Sequence, residues 1–237
     1  MRGVETSRVE GFSDAAFAFA LTLLVISLEV PRSFNDLLDG MRGLPAFAIC
    51  FAMLVWLWVM HYRFFRRYGL EDPITLTLNS ALLFVIMFYV YPLKYVFLGF
   101  VGFITRGHLQ PVDAVTIQPE QVCGLFVIYG VGFSAVFTMF GLMNLHAWRL
   151  REALQLNEVE RLVTREELVR CGSMIGMGLV SAGLALALRN VHPGLSGFAG
   201  FVYALSGVIE PIIGMRFGKA QEKALQAMRD RGEWPPA

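Results

Sequence analysis

Residues 8–28, RVEGFSDAAFAFALTLLVISL, form an almost unbroken apolar run whose opening carries Arg8, Ser13 and Asp14. A run of this length with no alternation reads as a spanning helix, because in lipid every backbone N–H and C=O must be satisfied within its own segment. A carboxylate at the mouth of such a span is expensive unless paired or wetted, so Asp14 marks either a functional site or a tightly satisfied polar network. The run is too long for a cleaved leader, holds an acid near its start, and has no small-residue cleavage site before Pro31.

The rest of the chain repeats the theme. With 56% hydrophobic and only 16% charged residues, and a mean hydropathy of +0.56, the 237 residues hold far less charge than a soluble domain, where about a quarter is usual. About 20 apolar residues cross a bilayer as a helix. Six candidate spans follow: about 11–30, 44–65, 74–103, 121–147, 170–189 and 195–216. The expected fold is an all-α integral membrane protein of six transmembrane helices, one membrane domain over 1–237, with no separate soluble domain. The stretch 156–170 reads as a helical connector, and 217–237 as a charged tail continuing the last span.

Lys and Arg placement orients the chain. With both termini cytoplasmic, 15 of the 20 basic residues fall on the cytoplasmic side, leaving Arg32, Arg42, Lys94, Arg106 and Arg189 outside. Because the charges sort by membrane side, the net charge of +1 says nothing about partners. Cys50, Cys123 and Cys171 lie in or beside spans and suggest neither disulfides nor a metal site. There is no His-Glu-x-x-His, Gly-x-Ser-x-Gly, nucleotide motif or nucleic-acid patch, and no enzyme is expected. Gly172 and Gly176, four apart in the fifth span, suit close helix packing, either within the subunit or between subunits.

On a helical wheel, Phe19, Leu23 and Ile26 all fall within about 40° of Phe12, giving one apolar stripe through the depth of the first span, and Thr22 lies about 80° from Phe12. Arg8 is five residues from Ser13 and six from Asp14, poor spacings for contact along one helix. Their partners are expected on other helices, with His61 and Asn79 the obvious ones.

Arg8, Phe12-Ser13-Asp14 and Thr22 resemble the signature of the transmembrane protein 175 family, whose members include a lysosomal potassium channel and six-span prokaryotic homologues. Trp58, His61 and Phe64-Phe65 resemble that family's Trp-x-x-His-x-x-Phe element, and Asn79 followed by Pro92 resembles its Asn-led third helix. The likeness covers about the first 95 residues. It implies a homotetrameric, potassium-preferring cation channel in a prokaryotic plasma membrane, with no selectivity-filter loop and no cofactor. Potassium is then the permeant ion, and the partners are copies of the chain, the lipid bilayer and monovalent cations. Four first spans would line the pore. Phe19, Leu23 and Ile26 would form its constriction, and Thr22 would bear on potassium preference. Arg8, Ser13, Asp14, His61 and Asn79 would form the polar network holding the pore helix. Where family members carry an aliphatic residue, this chain has Phe19. The residues alone leave open an ion- or proton-coupled transporter, using Asp14 and Glu210, or a non-conducting membrane scaffold.

Overall fold

A computed structural model describes residues 7–26, 32–109, 118–189 and 193–232. Those residues are helical nearly throughout: α1 Arg8–Ile26, α2 Phe34–Arg42, α3 Leu44–Tyr68, α4 Pro73–Ile104, α5 Pro119–Arg149, α6 Glu158–Arg189, a 3₁₀ helix Pro193–Leu205, and α7 Ser206–Asp230. Five stretches are long and apolar enough to cross a bilayer: Leu44–Tyr68, Pro73–Ile104, Glu120–Arg149, Glu158–Arg189 and Leu195–Asp230. Helix α1 has 19 residues, about 28 Å at 1.5 Å per residue, and the last residues of the expected first span lie outside the described residues.

Punctuation by ordinary capping chemistry fixes where these helices begin and end. Ser7 and Glu10 form a reciprocal capping box at the start of α1: the Glu10 N–H donates to Ser7 Oγ at 3.2 Å, and the Ser7 N–H donates to Glu10 Oε2 at 3.0 Å. Between the first two expected spans, Ser33 and Asp36 close the same box and start α2, a short helix that the span reading did not anticipate. Its Phe34, Leu37, Leu38 and Met41 are all exposed. Gly69, at φ 60°, ends α3 in the left-handed region that glycine tolerates.

Asp72 starts α4. Its Oδ2 accepts the N–H groups of Ile74 and Thr75, its Oδ1 accepts the Thr75 hydroxyl at 2.6 Å, and His146 Nε2 on α5 lies 2.9 Å from Oδ2. Burial alone would raise the Asp72 carboxyl, but the hydrogen bonds from Thr75 and His146 outweigh it and hold the pKa below the usual 3.8. A lowered folded value means the stabilisation is complete above the ordinary carboxylate range and is lost as pH falls through the folded value. We expect Asp72→Ala to cost about 1–2 kcal/mol at neutral pH. Thermal unfolding in detergent would show that gap to wild type closing in strongly acidic buffer.

The helices pack in a row. Helix α1 sits at one flank and touches only α3 and α4 among the described elements; α4 packs on α5, and α5 packs on α6, whose other neighbours are the 3₁₀ helix and α7. Helices α5 and α6 approach closely at Gly130 and Gly178: a methyl group on Gly130 would lie 2.5 Å from the Gly178 carbonyl oxygen. Gly172 and Gly176, expected as a close-packing pair, face open space instead. They are therefore not a contact within the subunit.

Two further differences have clear physical origins. From Glu158 on, the connector expected at 156–170 is the opening of α6 itself, because nothing in ERLVTREELVR breaks a helix. The opening of the expected sixth span winds as a 3₁₀ helix, longer than most. Its buried residues, Ser196, Ala199 and Val202, recur every third position, the 3₁₀ repeat. Gly200 fits there because a side chain would strike the Phe126 ring at about 3 Å.

Candidate pore helix and its polar anchor

Helix α1 has two distinct faces. Glu10, Ser13, Phe17, Ala20 and Leu24 are all buried, a repeat of three and four residues that seats one face on α3 and α4. On the other side, Phe12 is 67% and Phe19 51% exposed, with Thr22 also exposed and Leu23 half-buried. The stripe seen on the helical wheel thus lies away from the subunit's own core. Ile26 closes the described helix, and its side chain lies outside the described residues.

The anchor of the buried face is a directional hydrogen-bond chain. Ser13 is 0%, His61 1% and Asn79 2% exposed. Asn79 Nδ2 donates to Ser13 Oγ at 2.9 Å, and the Ser13 hydroxyl donates to the Val9 carbonyl at 2.8 Å. His61 Nε2 lies 2.8 Å from Asn79 Oδ1. A carbonyl oxygen only accepts, so this orientation of the amide assigns the imidazole proton to Nε2. Turning the amide over would cost Ser13 its bond to Val9, so the chain has one internally consistent direction. The Phe17 ring packs edge-on against His61 with centroids 5.5 Å apart, and Phe65 covers it from the same helix at 4.7 Å. Burial in this aromatic cage makes each of the three polar groups dependent on the other two.

Asp14 is held separately. Trp58 Nε1 on α3 donates to its Oδ1 at 2.7 Å, a hydrogen bond shortened by the acceptor's charge. Arg8 is exposed and takes no part in these bonds. Of the five expected network residues, the structure joins Ser13, His61 and Asn79 directly and gives Asp14 to Trp58. Sequence reasoning named Trp58 only as part of a motif and missed the role of its indole N–H. It also missed the Ser7–Glu10 cap, which a Ser-x-x-Glu spacing could have revealed. The Thr22 hydroxyl, on an exposed residue, donates to the Ala18 carbonyl on its own helix at 2.8 Å.

Several other polar groups inside the bundle are tied to one another. Glu210 on α7 lies 2.9 Å from Arg170 Nε and 3.1 Å from Ser173 Oγ, so its partner is an arginine of α6. Arg170 also meets Glu166 at 2.7 Å. Tyr68 Oη lies 2.7 Å from Thr164 Oγ1, joining the end of α3 to the start of α6. The guanidinium groups of Arg151 and Arg165 both lie over the Trp148 ring, within 5 Å of its centroid. Among the described residues no group of His, Cys, Asp and Glu is arranged to hold a metal, and the three cysteines are buried and unpaired with one another.

This architecture has close counterparts. The sequence profile of the endosomal/lysosomal potassium channel TMEM175 matches residues 8–89, from the first residue of α1 to the middle of α4. A potassium channel of Marivirga tractuosa is 36% identical over 232 residues, spanning 95% of this chain and 93% of that relative. The chain belongs to the TMEM175 family. Shorter stretches resemble potassium channels of Chamaesiphon minutus, 34% identical over 96 residues and 47% of that protein, and of Streptomyces collinus, 32% identical over 93 residues and 43% of it. In three dimensions the chain superposes on a crystal structure of a variant of the potassium channel MtTMEM175 solved with a nanobody–MBP fusion protein. The TM-score is 0.78 at 34% identity, covering 94% of this chain and 96% of that one. A TMEM175 fold is thus that of a multi-pass membrane protein, and the family is one of ion channels rather than enzymes.

Proposed function

We propose that this TMEM175-family chain is a potassium-preferring cation channel. Four copies assemble so that the exposed face of each α1 lines a central pore. The observation that carries this reading is the division of α1: Glu10, Ser13, Phe17, Ala20 and Leu24 are buried on the face seated on α3 and α4, while Phe12, Phe19 and Thr22 face away from the subunit. An apolar face that bulky, on a helix held by only two neighbours among the described elements, needs either lipid or other copies of itself. Family membership favours the copies.

In this reading Phe19, Leu23 and Ile26 form the constriction and Thr22 presents hydroxyl oxygen beside it. Apolar rings stop ions by dewetting, and they conduct when small movements admit water. Potassium sheds its hydration more readily than sodium, so such a ring prefers potassium modestly. No filter loop and no cofactor is needed. The chain of Ser13, Asn79 and His61 fixes the rotation of α1, with Trp58 steadying Asp14, and Arg8 stands at the mouth. The whole chain is one six-span domain in the plasma membrane, with both termini and the 217–237 tail in the cytoplasm. Contacts between α1 and the end of α3, and between the end of α3 and the start of α6, support gathering the arginines of those segments at one membrane face.

The transporter reading loses ground because its two carboxylates are engaged, Asp14 by Trp58 and Glu210 by Arg170. The test is cation flux from vesicles containing the purified protein, with potassium and then sodium as the only permeant ion. We expect potassium efflux to exceed sodium efflux without saturating. Absence of flux from a correctly assembled oligomer would overturn the channel reading, and strict coupling to a second ion would favour the transporter.

A further inference from the structure

Two adjoining cavities with opposite character lie between α3 and the α5–α6 pair, and Trp56 lines both. The larger and more open one has a volume of about 190 Å³ and is walled by Phe97, Tyr129, Phe133, Met177 and Tyr203. A dry apolar cavity of about 150 Å³ already accepts a benzene-sized guest, so this one takes a segment of hydrocarbon. The other lies toward the arginine-rich end of α3, is far smaller at about 30 Å³, and is lined by Arg63, Arg67 and Arg170 with one carboxylate, Glu167. Arg67 is 3.8 Å from Glu167, and Arg170 is taken up by Glu166 and Glu210, whereas Arg63 is exposed at the mouth and joins none of these ion pairs.

The geometry points to a binding site for one anionic phospholipid in this fissure. Its phosphate sits at the mouth against Arg63 with Arg67 behind, and one acyl chain passes Trp56 into the apolar cavity. Charge complementarity selects the occupant: Glu166, Glu167 and Glu210 already balance Arg67 and Arg170, so Arg63, exposed at the mouth and outside these ion pairs, is the guanidinium offered to a phosphate above the apolar slot. A zwitterionic lipid satisfies the slot but not the rim, and a soluble anion satisfies only the rim. Basic pockets between spanning helices on the cytoplasmic side are where acidic headgroups are held. The fissure lies on the far side of α3 and α4 from the exposed face of α1, so this inference does not depend on where the ions pass.

The experiment is native mass spectrometry of the intact assembly released from vesicles of phosphatidylcholine and phosphatidylglycerol in equal parts. Wild type is expected to retain phosphatidylglycerol preferentially. Arg63→Gln is expected to reduce that preference about fivefold, the worth of one basic residue near an acidic surface. Met53→Trp, which enlarges a half-buried wall of the apolar cavity, is expected to reduce retention of both lipids. Arg165→Gln removes a charge that stacks on Trp148 outside the fissure and should leave the preference unchanged. Equal retention of the two lipids by wild type, or an unaltered preference in Arg63→Gln, would overturn the proposal. So would an equal loss in Arg165→Gln, which would mean unspecific surface attraction. The same spectra report the mass of each assembly, so a variant that fails to assemble is recognised, and Arg63→Gln then decides alone.

Discussion

Phe19→Ala is expected to raise potassium flux about tenfold and to bring sodium flux closer to it. Phe19 is half-exposed at mid-helix, on the face of α1 turned away from α3 and α4. In the proposed tetramer four Phe19 side chains would meet in a ring at mid-helix, where they would be the bulkiest side chains between Phe12 and the end of α1 on its exposed face. Truncation to methyl groups widens that ring and lets water remain in it, removing a dewetting barrier. Tenfold corresponds to about 1.4 kcal/mol off the barrier. Selectivity falls with it, because an ion that keeps its water is no longer asked to shed it. Vesicle flux or single-channel recording with each cation alone gives both quantities. A smaller or unchanged flux, from protein that assembles normally, would mean that Phe19 faces lipid and that the constriction lies elsewhere. The conservative variant Phe19→Leu separates bulk from aromaticity: it is expected to conduct between the two, and a loss of conduction there would contradict a steric ring.

Asn79→Leu is expected to be the most damaging single change in the polar anchor. Asn79 donates to Ser13 and accepts from His61, so its removal leaves two fully buried polar groups without their partner. An unsatisfied buried group costs about 1–3 kcal/mol, and leucine adds a branched side chain beside the imidazole. Thermal unfolding and the yield of assembled protein measure the loss. In the proposed channel the same bonds set the rotation of α1, so flux per assembled channel is expected to fall as well. Ser13→Ala is the milder comparison: it removes one acceptor of the Asn79 amide but leaves the His61–Asn79 bond intact, and it should cost roughly half as much. An Asn79→Leu protein as stable as wild type would mean that the three residues are not an anchor.

Much of this was legible in the order of residues. Hydropathy marks the long helices because a bilayer demands about 20 apolar residues with all backbone groups internally bonded, a requirement that local composition expresses directly. Ser13, His61 and Asn79 stood out for a related reason: polar groups inside apolar runs are too costly to be left alone, so finding three of them predicts that they meet. Their exact pairing was less accessible. Asp14 takes a hydrogen bond from Trp58, 44 positions away, and an indole N–H inside an apolar run carries no charge signature to advertise itself.

What the sequence determined by itself is whatever neighbours along the chain control. That covers the helical segments, the caps at Ser7, Ser33 and Asp72, and the apolar stripe of α1, since period and capping depend on residues three or four apart. Only the tertiary structure decided which face of α1 is buried, because the stripe through Phe12 and Phe19 and the stripe through Ser13 and Phe17 are both apolar enough to seat a helix. The choice falls to the second because it alone brings Ser13 to Asn79. Likewise Gly130 and Gly178, rather than Gly172 and Gly176, allow α5 and α6 to touch, since closeness depends on where two helix axes cross. The 3₁₀ winding before α7 belongs to the same class: Gly200 and Ala199 permit it, but the packing of that segment on α5 and α6 selects it.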